Sequence, residues 1–119
     1  MITRTGTGRG GGYRRSSASG TTTDAFLTVL DIDMRGTESG AWDVNNTGGS
    51  NALNYKVLVR YADYDDGEDV EYVAATEVAA GAKDYVQLEK PYKRVKFQVQ
   101  SAVAGQATSY SIVGGKNRV

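Results

Sequence analysis

The sequence predicts an all-β domain, an antiparallel β-sandwich of Ig-like or jelly-roll-like kind with about seven strands. Three observations predict it: a two-residue alternation over residues 53–61, a second over residues 94–100, and turn signals between the remaining short apolar runs. In the first, Leu53, Tyr55, Val57, Val59 and Tyr61 alternate with Asn54, Lys56, Leu58 and Arg60, so aromatic and β-branched residues share one face of a half-buried strand. In the second, Val95, Phe97 and Val99 alternate with Arg94, Lys96, Gln98 and Gln100. No window carries a helical period, and the alanine-rich residues 73–82 are broken by turn residues and Gly81.

Taken in order, residues 1–23 are nearly free of aliphatic side chains and dominated by Gly, Ser, Thr and Arg. Little there offsets the entropy of ordering a backbone, so they read as an extended arm, disordered until a partner pins it. The sandwich is expected over residues 24–113. Its first strand sets Phe26, Leu30, Ile32 and Met34 on one face and Asp31 and Asp33 on the other. Residues 35–40 form a turn cluster, Trp42 and Val44 flank an outward Asp43, and residues 45–51 are Asn/Gly loop chemistry. After the strand at 53–61 comes an acidic turn, and a short loop there returns residues 70–76 antiparallel to it. Strands at 85–89, 94–100 and 108–113 complete the set, and residues 114–119 read as a tail.

Fourteen basic and fourteen acidic residues give a net charge of zero, with no overall bias toward nucleic acid or membrane. The distribution is uneven: residues 1–23 hold Arg4, Arg9, Arg14 and Arg15 and no acid, so +4 there leaves −4 for the rest. A basic arm joins a mildly acidic body. The absence of cysteine removes disulfides and thiolate metal sites and leaves the redox compartment open. The absence of histidine removes the commonest general base. No secretory signal or membrane-spanning run is visible, so synthesis in a cytoplasm is expected.

Four features compete as sites. Asp63, Asp65, Asp66, Glu68 and Asp69 surround Gly67 and offer hard oxygens to calcium. Gly67 is one place early for an EF-hand and the distal glutamate is missing, so a solvated hairpin tip that discourages edge pairing is the better reading. Residues 6–11 match G-x-G-x-x-G but lack the strand and helix a dinucleotide site needs. The arm, with Arg4, Arg9, Tyr13, Arg14 and Arg15, is suited to docking on an acidic protein surface, and less to gripping a nucleic-acid backbone. Among the aromatic residues, Trp42, Tyr55 and Tyr61 fall on core faces, whereas Tyr64 and Tyr92 lie in turns and are the candidates for exposed, sugar-stacking rings. No triad spacing or carboxylate pocket is visible. An enzyme is not expected, nor a cofactor.

Residues 42–57, WDVNNTGGSNALNYKV, resemble small β-sandwich modules of tailed-phage virions, as do residues 79–82 and the later PYKRVKFQVQS at 91–101. The resemblance spans about residues 25–113 and lies in an N-T-G-x-x-N-A-L pattern before one strand and P-Y-x-R-V-K-x-Q-V-x-S through another. Modules of this kind are often capsid decoration, or cement, proteins, although tail and fibre accessories share the fold. The resemblance therefore implies a virion protein made in the host cytoplasm. Its partners would be the major capsid protein or other virion proteins, and it would act as a small homo-oligomer on the particle. A carbohydrate-binding or adhesion module of a tail or fibre appendage is the alternative, and single-strand nucleic-acid binding through the arm a third.

Overall fold

A computed structural model describes residues 12–60, 69–90 and 92–118. Eight strands form: β1 (Gly12–Thr21), β2 (Leu27–Asp33), β3 (Thr37–Asn46), β4 (Leu53–Arg60), β5 (Asp69–Val78), β6 (Lys83–Leu88), β7 (Arg94–Ser101) and β8 (Ser109–Arg118). Among the described residues there is no helix. Pairing is antiparallel and nested, β1 with β8, β2 with β7, β3 with β6 and β4 with β5. Cross-pairing of β3 with β8 and of β4 with β7 sorts the strands into two four-stranded sheets, β1-β8-β3-β6 and β2-β7-β4-β5. That order is the double Greek key of a jelly roll, which decides between the two sandwich types the sequence left open.

The core lies between the sheets. The strands with the cleanest alternation behave as expected: every second residue of β4 and β7 is buried and the intervening ones are half-buried. Their inward residues, among them Val57, Val59, Val95 and Phe97, meet Trp42, Val44, Val86 and Ile112 of the other sheet. Trp42 meets Phe97 edge-on, with ring centroids 5.3 Å apart. The indole also reaches across β8, and its Nε1 donates to Ser16 Oγ of β1 at 3.1 Å. Gly114 makes the crossing possible. A Cβ there would lie 2.1 Å from the Ala41 carbonyl oxygen and 2.6 Å from Trp42 Cδ1.

These contacts correct three expectations. Gly12–Thr21, read as part of a disordered arm, is a strand paired with β8 along its whole length. Its order comes from β8 backbone, from the Trp42–Ser16 bond and from Ala18 packing on the core, none of which a glycine- and serine-rich sequence announces. The expected tail at 114–119 is likewise the second half of β8, held between β1 and β3 as far as Arg118. Phe26 leaves the core face because the register of β2 shifts between Thr28 and Leu30. Its ring instead lies under the Lys56 ammonium, 4.6 Å from the centroid.

Successive strands alternate in direction, so the β1–β2, β3–β4, β5–β6 and β7–β8 connections gather at one end. There the buried polar residues Thr22, Asn46, Ser101 and Thr108 cluster. Asn46 Nδ2 donates to the carbonyls of Asn51 at 2.8 Å and Val78 at 3.0 Å, while its Oδ1 accepts from Thr108 Oγ1 at 2.8 Å and Gly48 N at 3.1 Å. Thr22 Oγ1 accepts from Thr108 N at 2.9 Å and lies 2.8 Å from Ser101 Oγ. Every polar atom of the Asn46 amide is thus satisfied, as burial requires. The N-T-G-x-x-N segment at 46–51 is therefore an architectural lock that ties one loop to the β5–β6 and β7–β8 connections. At the opposite end, Met34 N bonds Lys93 O and Lys93 N bonds Arg60 O.

Candidate interaction surfaces

The two outward faces differ in chemistry. On the β2-β7-β4-β5 sheet, the central strands turn out Arg94, Lys96, Lys56 and Arg60, and the flanking strands turn out Asp31, Asp69, Glu71 and Glu77. Arg94 Nε donates to Asp31 Oδ1 at 2.5 Å. Asp69 is shared, its Oδ2 with Lys96 at 2.9 Å and its Oδ1 with Arg60 at 3.2 Å. Burial alone raises the Asp69 pKa, but Lys96 and then Arg60 outweigh it and hold the carboxyl below the ordinary carboxylate value. At the second end, the Arg35 guanidinium and then its backbone N–H hold Asp33 well below the usual range. The exposed pairs, Arg94–Asp31 and Arg35–Asp33, contribute about 0–1 kcal/mol each. The face is a solvated lattice of compensated charge.

On the β1-β8-β3-β6 sheet the outward positions are small and mostly neutral, with Ser17, Ser19, Ser111, Ala41 and Val113 across its middle. Arg15, Asp43 and Lys83 are ionic side chains at outward positions of this sheet. Between the sheets, Tyr55 of β4 donates from its hydroxyl to Asp84 Oδ2 of β6 at 2.5 Å. Burial first, and then the Asp84 bond, push the Tyr55 phenol well above its ordinary value.

No family model matches the sequence, and no curated protein is similar to it at the sequence level. Solved structures do match. A structure of the Bacillus endospore appendages, described as disulfide-linked pili, superposes with a TM-score of 0.56 at 10% identity, covering 100% of this chain and 99% of that one. The SPBc2 prophage-derived protein YomS gives 0.52 at 15% identity, covering 86% and 94%. The VP2 subviral particle of infectious bursal disease virus gives 0.57 at 12% identity over 90% of this chain and 32% of that one, so this chain spans about a third of VP2. The likeness is one of fold. This sequence contains no cysteine, so the disulfide linkage of those pili has no counterpart in it.

Several of the expected site residues lie outside the described residues: Arg4 and Arg9 of the arm, and Asp63, Tyr64, Asp65, Asp66 and Glu68 of the acidic turn. Of that turn's carboxylates, Asp69 is described, and it serves β5 as the partner of Lys96 and Arg60. Among the described residues no three potential ligands group to hold a metal ion. Arg14 and Arg15 are exposed near the start of β1, and Tyr13 pairs there with Asn117 through the backbone. Tyr92 is a correction: expected at the surface, it is only 7% exposed. Its ring stands edge-on to Tyr72, centroids 5.7 Å apart, because the chain before β7 turns inward under β5.

The exposed rings are others. Tyr72 is 37% exposed and Tyr85 59%. The β4–β5 register shifts between Tyr55 and Val57 and again between Val57 and Leu58, and the resulting bulges re-aim Tyr72 toward the other sheet. Its hydroxyl donates to the Gln87 carbonyl of β6 at 2.7 Å, bridging the seam between the sheets. A bulge breaks the two-residue period, so alternation gave no sign of Tyr72. Tyr85 was legible, since it alternates with Asp84 and Val86, but its outward side became clear only from the pairing with Asp43.

Proposed function

We propose that the protein is a structural component of a virus particle, decorating or cementing a phage capsid. The observation that carries this reading is the nested eight-strand jelly roll, which the chain shares along most of its length with a prophage-derived protein and with part of VP2. The contrast between the faces supports it. Covering the weakly charged β1-β8-β3-β6 face removes few ions from water, whereas covering the charged face would strand many. In this reading the former lies against the shell and the latter faces solvent.

The arm keeps its docking role in shortened form. Residues 1–11, with Arg4 and Arg9, reach a neighbouring subunit's acidic surface, and Tyr13, Arg14 and Arg15 mark where the arm leaves the sandwich. Each contact is weak, but attachment to a docked body and repetition over a lattice raise its effective concentration. Deleting residues 1–11 tests this: capsid occupancy and heat resistance of decorated particles both fall. Unchanged occupancy and resistance would remove the arm from the mechanism and leave the docked body.

Exposed Tyr72 and Tyr85 favour a second reading, a carbohydrate-binding or adhesion module on an appendage, since jelly rolls also serve as lectins. A glycan array separates the two. Saturable sugar binding abolished by Tyr85→Ala, with the fold intact by circular dichroism, would favour the appendage.

A further inference from the structure

The structure assigns β1 as a self-association edge: we infer that two copies of this chain pair through β1, antiparallel, into one continuous eight-stranded sheet. A sheet edge offers unpaired N–H and C=O groups to any strand that can approach, and proteins blunt edges they do not use. The sandwich has edges at β1, β6, β2 and β5, and three of them are blunted. Strand β5 is bent by two register shifts and carries Glu71 and Glu77. Strand β2 holds a register shift beside exposed Asp31. Strand β6 is short, bears Lys83 and Asp84, and has its Gln87 carbonyl taken by Tyr72 from the other sheet.

Strand β1 is charged only at its start, by Arg14 and Arg15, and holds no bulge. Its register with β8 is unbroken from Gly12 to Thr21, and its side chains from Ser16 onward are Ser, Ala, Gly and Thr, mostly exposed. Among the described residues no backbone hydrogen bond joins it to a strand other than β8. Small side chains with a regular register are what close backbone approach needs.

The occupant follows from symmetry and charge. Antiparallel pairing of identical strands requires a two-fold axis perpendicular to the sheet, so outward residues must face outward residues. Placing the axis at Ser17 sets Ser17 against its own copy, Arg15 opposite Ser19 of the second copy, and Arg14 opposite Gly20. No arginine faces an arginine, and the small residues fill the centre. A basic segment such as residues 1–11 of another copy would instead meet Arg14 and Arg15 with like charge, so β1 itself is the better match. The inference stands apart from the virion reading.

The test is sedimentation of the full chain over a concentration series from micromolar to millimolar, alone and as Ser17→Lys and Ser17→Asp. Ser17 is exposed, so both variants retain the wild-type circular dichroism and melt. Edge pairing predicts a reversible dimer, a dissociation constant raised at least about tenfold in each variant by like charges on the axis, and recovery of dimer when the two variants are mixed. A wild-type monomer throughout, a dimer indifferent to both substitutions, or a mixture that fails to recover would overturn it. A monomer that still binds capsids would overturn the edge pairing and leave the virion reading standing.

Discussion

At the scale of single residues, the fold depends on a few close approaches and on the ionisation of buried or paired groups. Gly114 lies beneath Trp42 with no room for a side chain, whereas a Cβ on Gly49 meets nothing within 4 Å. Gly114→Ala should therefore lower stability by about 1–3 kcal/mol or more, because the obstructing atoms include backbone, while Gly49→Ala is within about 1 kcal/mol of neutral. Urea midpoints at constant slope measure both. The pH dependence follows from the shifted groups. Asp69 is held below its unfolded value, so its contribution is complete above about pH 3.9 and is lost as pH falls through the lower folded pKa. Asp69→Asn should flatten the acid limb of the stability curve more than Asp33→Asn, since Asp33 is far more exposed and its pairing is screened. Tyr55 is raised, so its contribution is complete below about pH 10 and is lost as pH rises toward its folded pKa. Tyr110, raised by burial, acts in the same direction. Alkaline titration of Tyr55→Phe should show a shallower loss above about pH 10.

At the scale of elements, β1 decides what counts as arm and what as domain. Removing residues 1–11 leaves all eight strands' described pairings in place. Removal through Thr21 uncovers β8 and deprives Trp42 of Ser16 and the core of Ala18. The melting temperature should hardly move in the first truncation, and fall by about 4–8 °C for each kcal/mol lost in the second. A sharp fall in the first would mean that residues 1–11 hold the sandwich together. The same strand marks the limit of what was legible. Strands β4 and β7 were plain in the sequence because a half-buried strand imprints its burial as a period of two. The absence of helix and the β4–β5 hairpin followed from the same period and from loop length. Strand β1 left no imprint, since its stability comes from neighbours in β8 and β3 that are distant in sequence. Asn46 looked like loop chemistry because its role is a set of bonds within its own loop and to two other connections, and only the folded end brings those together. Tyr92 was misplaced for a related reason: a turn residue beside Pro91 reads as exposed until Tyr72 is seen above it.

At the scale of the whole molecule, the sandwich carries a solvated, charge-compensated face and a nearly neutral one, and both follow from which residues the nested pairing turns outward. Ser, Ala and Val on one sheet and paired Arg, Lys and Asp on the other were visible as letters, but their segregation became visible only with strand order. The fold serves pili, virus shells and a prophage protein alike, and a fold by itself does not name a function; the jelly roll carries the proposed reading as a capsid protein, and the division of this surface is the support particular to this chain. The most direct measurement is a titration of the full chain onto purified capsids that lack it, with bound protein quantified after sedimentation. The account predicts saturation at a fixed number of copies per shell and a rise in the temperature at which the particles open. Binding that never saturates, or none at all beside saturable binding to a glycan, would contradict it.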